Sequence, residues 1–125
     1  MNPHLYQRDV EILINTILDE IMNQVIQLKR KDHRPIIVTS GAVALGRALL
    51  KQSTSFLNES LEKKIGFSLG QPTLLSCYQA KAQKEGFQCA QILLTKDDFR
   101  TRERYLNIMY LFEGLLSQSH IIPIV

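Results

Sequence analysis

The sequence predicts an α/β fold, a mostly parallel open sheet with helices on both faces. Three observations carry that prediction. Short β-branched apolar runs alternate with longer amphipathic ones along the chain. Each connection between the runs read as strands is long enough to hold a helix, which favours right-handed crossovers and parallel pairing. The ends of the runs carry Gly, Pro, Asn and Ser, the residues that turns and caps require.

Taken in order, Val10, Leu13, Ile14, Ile17, Leu18, Ile21, Val25 and Leu28 follow the spacing of an amphipathic helix over 10–31. Lys29, Arg30 and Lys31 sit at its carboxyl end, where the helix dipole favours positive charge. Residues 36–39, between Pro35 and Gly41, read as a short buried parallel strand, and residues 42–51 as a second helix. The polar, serine-rich stretch 52–60, with Phe56 and Leu57 inside it, reads as a surface loop. Asn58 or Ser60 is placed to cap a helix over 61–69. Gly70 is expected to end that helix and Pro72 to sit in the first turn of the next, which Gly86 stops after Glu85. Residues 88–95, "QCAQILLT", read as a second strand, 96–104 as a charged connection, 103–116 as a helix, and 121–125, "IIPIV", as a third strand.

No repeat, low-complexity tract or internal boundary interrupts this order, so residues 1–125 read as one domain. The final strand has no polar tail and no strand precedes the first helix. Both features lead to the expectation that the sheet is part of a longer one.

Of the 125 residues, 45% are hydrophobic and 22% charged, which suits a folded domain rather than a disordered chain. The net charge of +3 is scattered. Lys29–Lys31 and Lys63–Lys64 are too short to track a phosphate backbone, so no nucleic-acid partner is expected. Two cysteines, Cys77 and Cys89, and three dispersed histidines, His4, His33 and His120, do not make a zinc site. Two free, buried thiols in a reducing compartment are the expectation. Residues 1–9 lack the apolar stretch of a signal peptide, and no run approaches the roughly 18 apolar residues of a membrane span. A cytoplasmic protein with no membrane partner is therefore expected.

The stretch "PIIVTSGAVALGR", residues 35–47, holds the main functional candidate. In open parallel sheets, ligands gather at the carboxyl ends of strands. Thr39, Ser40 and Gly41 lie at such an end. A helix that starts at Ala42 turns its first N–H groups toward the corner, where they attract phosphate or carboxylate. Gly41 lets a ligand approach the backbone, and Ser40 adds a hydroxyl donor. A serine that merely caps the helix beside a turn glycine is the plainer alternative. The phosphate-loop pattern G-x-x-x-x-G-K-[ST], the dinucleotide pattern G-x-G-x-x-G and the nucleophile pattern G-x-S-x-G are all absent. His33 falls at the opposite end of the strand, away from a catalytic base's place. Asp97 and Asp98 could ligate a metal, but a cap or a solvated face explains them as well. Arg100, Arg102 and Arg104 could clamp phosphates or line a solvated or subunit-contact loop. His120 reads as a surface residue.

The stretch 35–47, Gly70–Gln71, the "AQILLT" strand, the "DDF" turn, "RERYLN" and "IIPIV" stand in the order and spacing of one known family. Together they resemble the glutamate 5-kinase branch of the amino acid kinase family, over essentially residues 35–125. The resemblance implies a partial amino acid kinase fold, with 1–125 as the substrate-binding half of a single domain. It implies an ATP- and Mg2+-dependent transfer of the γ-phosphoryl group to the side-chain carboxylate of L-glutamate, the first step of proline biosynthesis. It implies substrate-binding roles for Ser40, Gly41 and Ala42, no catalytic residue within the stretch, and a homo-oligomeric full-length enzyme. Gly70 and Gln71 match the family motif without an assigned ligand role.

The family's first strand with its K-x-G-[ST]-S loop, its N-E-N-D loop and its nucleotide-binding half have no counterpart in these residues. These residues alone are therefore expected to be inactive. After Asn107 the family's A-R-x-T is replaced by Ile108, Met109, Tyr110 and Leu111, and "KKIGFSLG" replaces a run of small residues. A non-catalytic remnant or interaction module, or part of a bifunctional pyrroline-5-carboxylate synthase, are the alternatives.

Overall fold

The computed structural model describes residues 3–50 and 58–125, with side chains from Arg8 onward. Among the described residues there are four α-helices and a parallel sheet: α1 (Pro3–Arg30), α2 (Ala42–Leu49), α3 (Glu59–Lys84), β1 (Gln88–Gln91), α4 (Arg102–Leu116) and β2 (Ile121–Ile124). The expected loop at 52–60 lies mostly outside the described residues. Asn58 is the cap of α3, accepting a hydrogen bond from Leu61 N at 2.7 Å, while Ser60 is already inside the helix.

β2 is the central line of the sheet. β1 pairs with it in parallel, Gln88 opposite Ile121 through Gln91 opposite Ile124. On its other edge runs the stretch expected as a strand at 36–39, which the structure reduces to a single bridge, Ile37 with Ile124. Three hydrogen bonds hold it: Ile37 N to Pro123 O, Val125 N to Ile37 O, and Thr39 N to Val125 O. The rung toward Pro35 cannot form. It would need an N–H from Pro123, and the next would need one from Pro35; neither proline has one. The stretch is also not buried on both sides as expected, because Ile37 faces the core while Val38 is 80% exposed.

The largest departure is at α3. The sequence places a helix end at Gly70 and a new helix at Pro72, yet α3 is continuous through both. Gly70 serves a helix crossing instead. A Cβ there would overlap the carbonyl of Ala42 and lie 2.7 Å from Gly46 N, and a Cβ on Gly46 would overlap the carbonyl of Gly66. The backbones of α2 and α3 thus meet without side chains between them. Packing on both sides of Pro72 keeps the helix intact: Gly66 and Gly70 are buried before it, Leu74, Tyr78 and Ala82 after it. Tertiary contact here outweighs the local helix-breaking preference. Gly86, at φ 82°, does end the helix region as expected.

Leu18, Met22 and Val25 of α1, Ala42 and Leu45 of α2, Leu74, Tyr78 and Ala82 of α3, and Ile37, Ile122 and Ile124 of the sheet form one core. α1 is rotated from the predicted stripe: Met22 and Ile26 are buried while Leu13, Ile17 and Leu28 are exposed. Its basic end does more than meet the helix dipole. The Lys29 ammonium is buried and donates to Gln118 O at 3.2 Å, and Arg30 pairs with Glu85 at 2.7 Å. Burial, and secondarily the charge of Arg34, hold the Lys29 ammonium below its ordinary pKa. Lys81 of α3 pairs with Asp19 of α1. Among the described residues, no helix is long and apolar enough to cross a membrane.

Gly70→Ala is expected to lower unfolding free energy by more than about 2 kcal/mol, because its methyl must force two backbones apart. Gly114→Ala, on α4 with open space around it, should raise it by about 0.5–1 kcal/mol. Chemical denaturation of both variants checks the pair; similar small effects would contradict the backbone crossing.

Candidate functional site

The corner between the Ile37 stretch and α2 forms because two local requirements coincide. Thr39 is held to the end of β2 through its bond to Val125 O, so the chain leaves the sheet at the strands' carboxyl ends. It must then reverse direction at once to lay α2 across α3. Gly41 makes that reversal at φ 100°, a left-handed conformation that side-chain-bearing residues rarely adopt. Gly41 O accepts the first helical bond, from Leu45 N at 2.9 Å.

Gly41, not Ser40, is the residue that precedes α2, and no side chain caps the helix. The plainer reading of Ser40 as a cap therefore does not hold. Ser40 and Gly41 are both exposed, whereas Ala42 is buried. Among the described residues, no acceptor is recorded for the N–H groups of Gly41, Ala42, Val43 or Ala44. The corner thus presents a serine hydroxyl, a run of backbone donors and the positive end of a helix dipole.

Beside it lies a cleft of about 270 Å³, lined by Val38, Thr39, Ser40 and Gly41 on one side, by Ile14, Ile17, Leu18 and Ile21 of α1, and by Leu74 and Tyr78 of α3. Its rim is polar and its walls are apolar. Such a shape suits a small anion with a short hydrocarbon body, the charged end on the amides and the methylenes against the isoleucines. Ser40, Gly41 and Ala42, the residues expected to bind substrate, form this corner, with Ser40 and Gly41 among the cleft's lining. Tyr78, which the sequence did not single out, also lines the cleft while belonging to the core. Burial pushes the Tyr78 hydroxyl above its ordinary pKa of 10.0, the hydrogen bond to Thr39 pulls it back, and the charge of Cys89 adds to the rise.

The other candidates take structural roles. The Asp98 carboxylate accepts from the N–H and the hydroxyl of Thr95, at 2.7 and 3.1 Å, and closes the 3-10 turn Lys96–Phe99. Asp97 pairs with Arg100 at 3.0 Å. Thr101 caps α4 by accepting from Arg104 N. His33 and His120 are exposed. Among the described residues, no group of three or more His, Cys, Asp or Glu side chains could hold a metal ion. Cys77 and Cys89 are free thiols, but each is partly rather than fully buried, short of the expectation. Cys89 is a half-buried residue of β1, and burial pushes its thiol up to about 11.

The sequence profile of the amino acid kinase family matches residues 7–125. The chain is 39% identical over 109 residues to a glutamate 5-kinase of Chlorobaculum tepidum, covering 87% of this chain and 30% of that protein. It is 37% identical over 106 residues to a glutamate 5-kinase of Aliivibrio fischeri, 85% of this chain and 28% of the relative. Glutamate 5-kinase 2 of Bacillus licheniformis is 36% identical over 111 residues, again 86% against 28%. The chain therefore spans less than a third of the length of these curated relatives.

At pH 8 Cys89 should react with iodoacetamide at least roughly tenfold more slowly than free cysteine, because a thiol with a raised pKa holds little thiolate. Site-resolved mass spectrometry of the folded chain reads this; a rate equal to free cysteine would refute it.

Proposed function

We propose, for a chain that belongs to the amino acid kinase family, that it forms the glutamate-binding portion of a glutamate 5-kinase. The observation that carries this reading is the exposed Ser40 hydroxyl beside a row of unpaired amides at the rim of an apolar cleft. In the reaction, an oxygen of the L-glutamate side-chain carboxylate attacks the γ-phosphorus of ATP. The bond from that phosphorus to the β–γ bridging oxygen breaks, ADP departs, and γ-glutamyl phosphate forms. In the relatives' pathway this product opens proline biosynthesis.

Phosphoryl transfer of this kind depends on holding two anions in line and offsetting their charge. This chain's part is the first half of that task. Ser40 donates its hydroxyl to the substrate, Gly41 brings the backbone close, and the amides from Gly41 through Ala42 meet its negative charge. The isoleucines of α1 take the methylenes. When bound, Mg2+ would supply charge neutralisation at the phosphates; among the described residues no group of three or more His, Cys, Asp or Glu side chains could hold it. No step here runs through it. ATP and Mg2+ are assigned to parts of the kinase beyond the matched third.

In the assembled enzyme, 1–125 is read as part of one amino acid kinase domain. Its sheet is mostly parallel and open, with helices on both faces, in a cytoplasmic homo-oligomer.

L-Glutamate is expected to bind the chain and to shift the amide resonances of Ser40, Gly41 and Ala42, with Ser40→Ala weakening it about tenfold, the effect of one hydrogen bond to a charged group. Unchanged binding in that variant would remove Ser40 from the site. The purified 125-residue chain is expected to form no hydroxamate with ATP, glutamate and hydroxylamine. Product formation would overturn the assignment of the nucleotide site to other parts of the kinase.

A further inference from the structure

α4 is the helix that the fold covers least. None of its fifteen residues is buried. Among the described elements it packs mainly on β2 and on the 3-10 turn Lys96–Phe99. Leu106, Ile108, Phe112, Leu115 and Leu116 are half-buried. Tyr105, Met109 and, just before the helix, Phe99 are exposed. The rings of Phe99 and Tyr105 lie 6.4 Å apart and form one patch.

At about 100° per residue, Arg102, Leu106, Met109 and Glu113 fall within about 60° of one another around α4. The row starts with a cation, ends with an anion and has two apolar side chains between them. Both charged residues are exposed, and among the described residues neither belongs to an ion pair. Both also stand against the helix dipole. Arg102 opens the helix, at its positive end; Glu113 lies in the last turn, at its negative end, and that turn carries no basic residue. α4 by itself therefore gains nothing from this placement.

A second α4 laid antiparallel on the row turns both liabilities to advantage. It sets Glu113 opposite Arg102 and Met109 opposite Leu106, and the twofold axis repeats each pair in the other direction. Phe99 then stands at the level of Leu116 of the second copy, and the two helix dipoles oppose each other. A parallel α4 would instead set Arg102 on Arg102.

We propose that the row Arg102, Leu106, Met109 and Glu113 is a self-docking surface whose occupant is a second copy of this chain, with the two α4 helices antiparallel about a twofold axis. Three turns of helix bury well under the roughly 1,200 Å² of a standard interface, so the association is weak and reversible. This surface and the Ser40 corner are separate, so either reading can fail alone.

Sedimentation equilibrium of the 125-residue chain, from about 10 μM to about 1 mM, should show a monomer–dimer equilibrium that added salt weakens. Arg102→Glu and Glu113→Arg should each weaken it roughly tenfold, because one substitution sets like charges together twice in the dimer. Each reversal also puts its charge where the dipole favours it, so the helix is not frayed and a lost dimer reports the pairing. The double variant should regain the parent's association within roughly twofold, and so should an equimolar mixture of the two single variants. A chain that stays monomeric across the range overturns the inference. So does a dimer indifferent to both reversals, or a mixture that associates no better than its components.

Discussion

The contact on which the structure turns is the crossing of α2 over α3, backbone against backbone. Gly46 and Gly70 bring the two helices closer than any side chain would allow, with the Gly66 carbonyl filling the space beside Gly46. α2 has only eight residues, far too few to be stable by itself, since nucleating a helix costs more than so few bonds return. Its existence depends on that crossing and on Ala42, Leu45 and Ala48 being buried by it. The ion pair of Arg47 with Glu62, at 3.3 Å, lies on the same crossing but is largely exposed and contributes little. Because α2 can lie only where α3 admits it, the direction of its first turn is set as well. The amides at its start face the corner as a consequence of packing several residues away.

That arrangement explains how a site can carry unpaired donors without unsettling the fold. Left-handed backbone at Gly41 and amides without protein acceptors would both be costly inside a core. Here Ser40 and Gly41 are exposed, so the donors at that end of the corner are open to solvent. The rigid parts stand on either side: the sheet holds Thr39, and the core holds Ala42 and Leu45. Between them only two residues are free to take up the functional geometry. The apolar walls of the cleft lower the local dielectric beside the polar rim, which strengthens the attraction of the amides for an anion.

Much of the architecture was legible in the sequence because it rests on local signals. Apolar periodicity located α1, the apolar run 121–125 located β2, the expected strand 88–95 overlaps β1 only at Gln88–Gln91, and Asn58 and Gly86 marked helix ends by chemistry that works at short range. The corner itself was legible too, since a strand, a Ser-Gly step and an apolar helix in direct succession leave few other shapes. Two readings failed for a shared reason. Gly70 and Pro72 look like a helix end and a helix start, and Ile36 to Thr39 looks like a full strand. In each case the deciding partner lies far away in the chain: Ala42 and Gly46 for the glycine, Pro123 for the strand. Local preference could not register either one.

What the sequence alone determined is the alternation of elements and the identity of the corner residues, because hydrophobic spacing, caps and positive-φ glycines act over a few positions. What only the tertiary structure decided is that α3 is one helix, that β2 is central, that α1 turns Met22 inward, and that Tyr78 lines the same cleft as Thr39. These depend on which surfaces meet once the chain is compact. Burial and close approach are properties of pairs of distant segments, and neither segment carries the answer by itself.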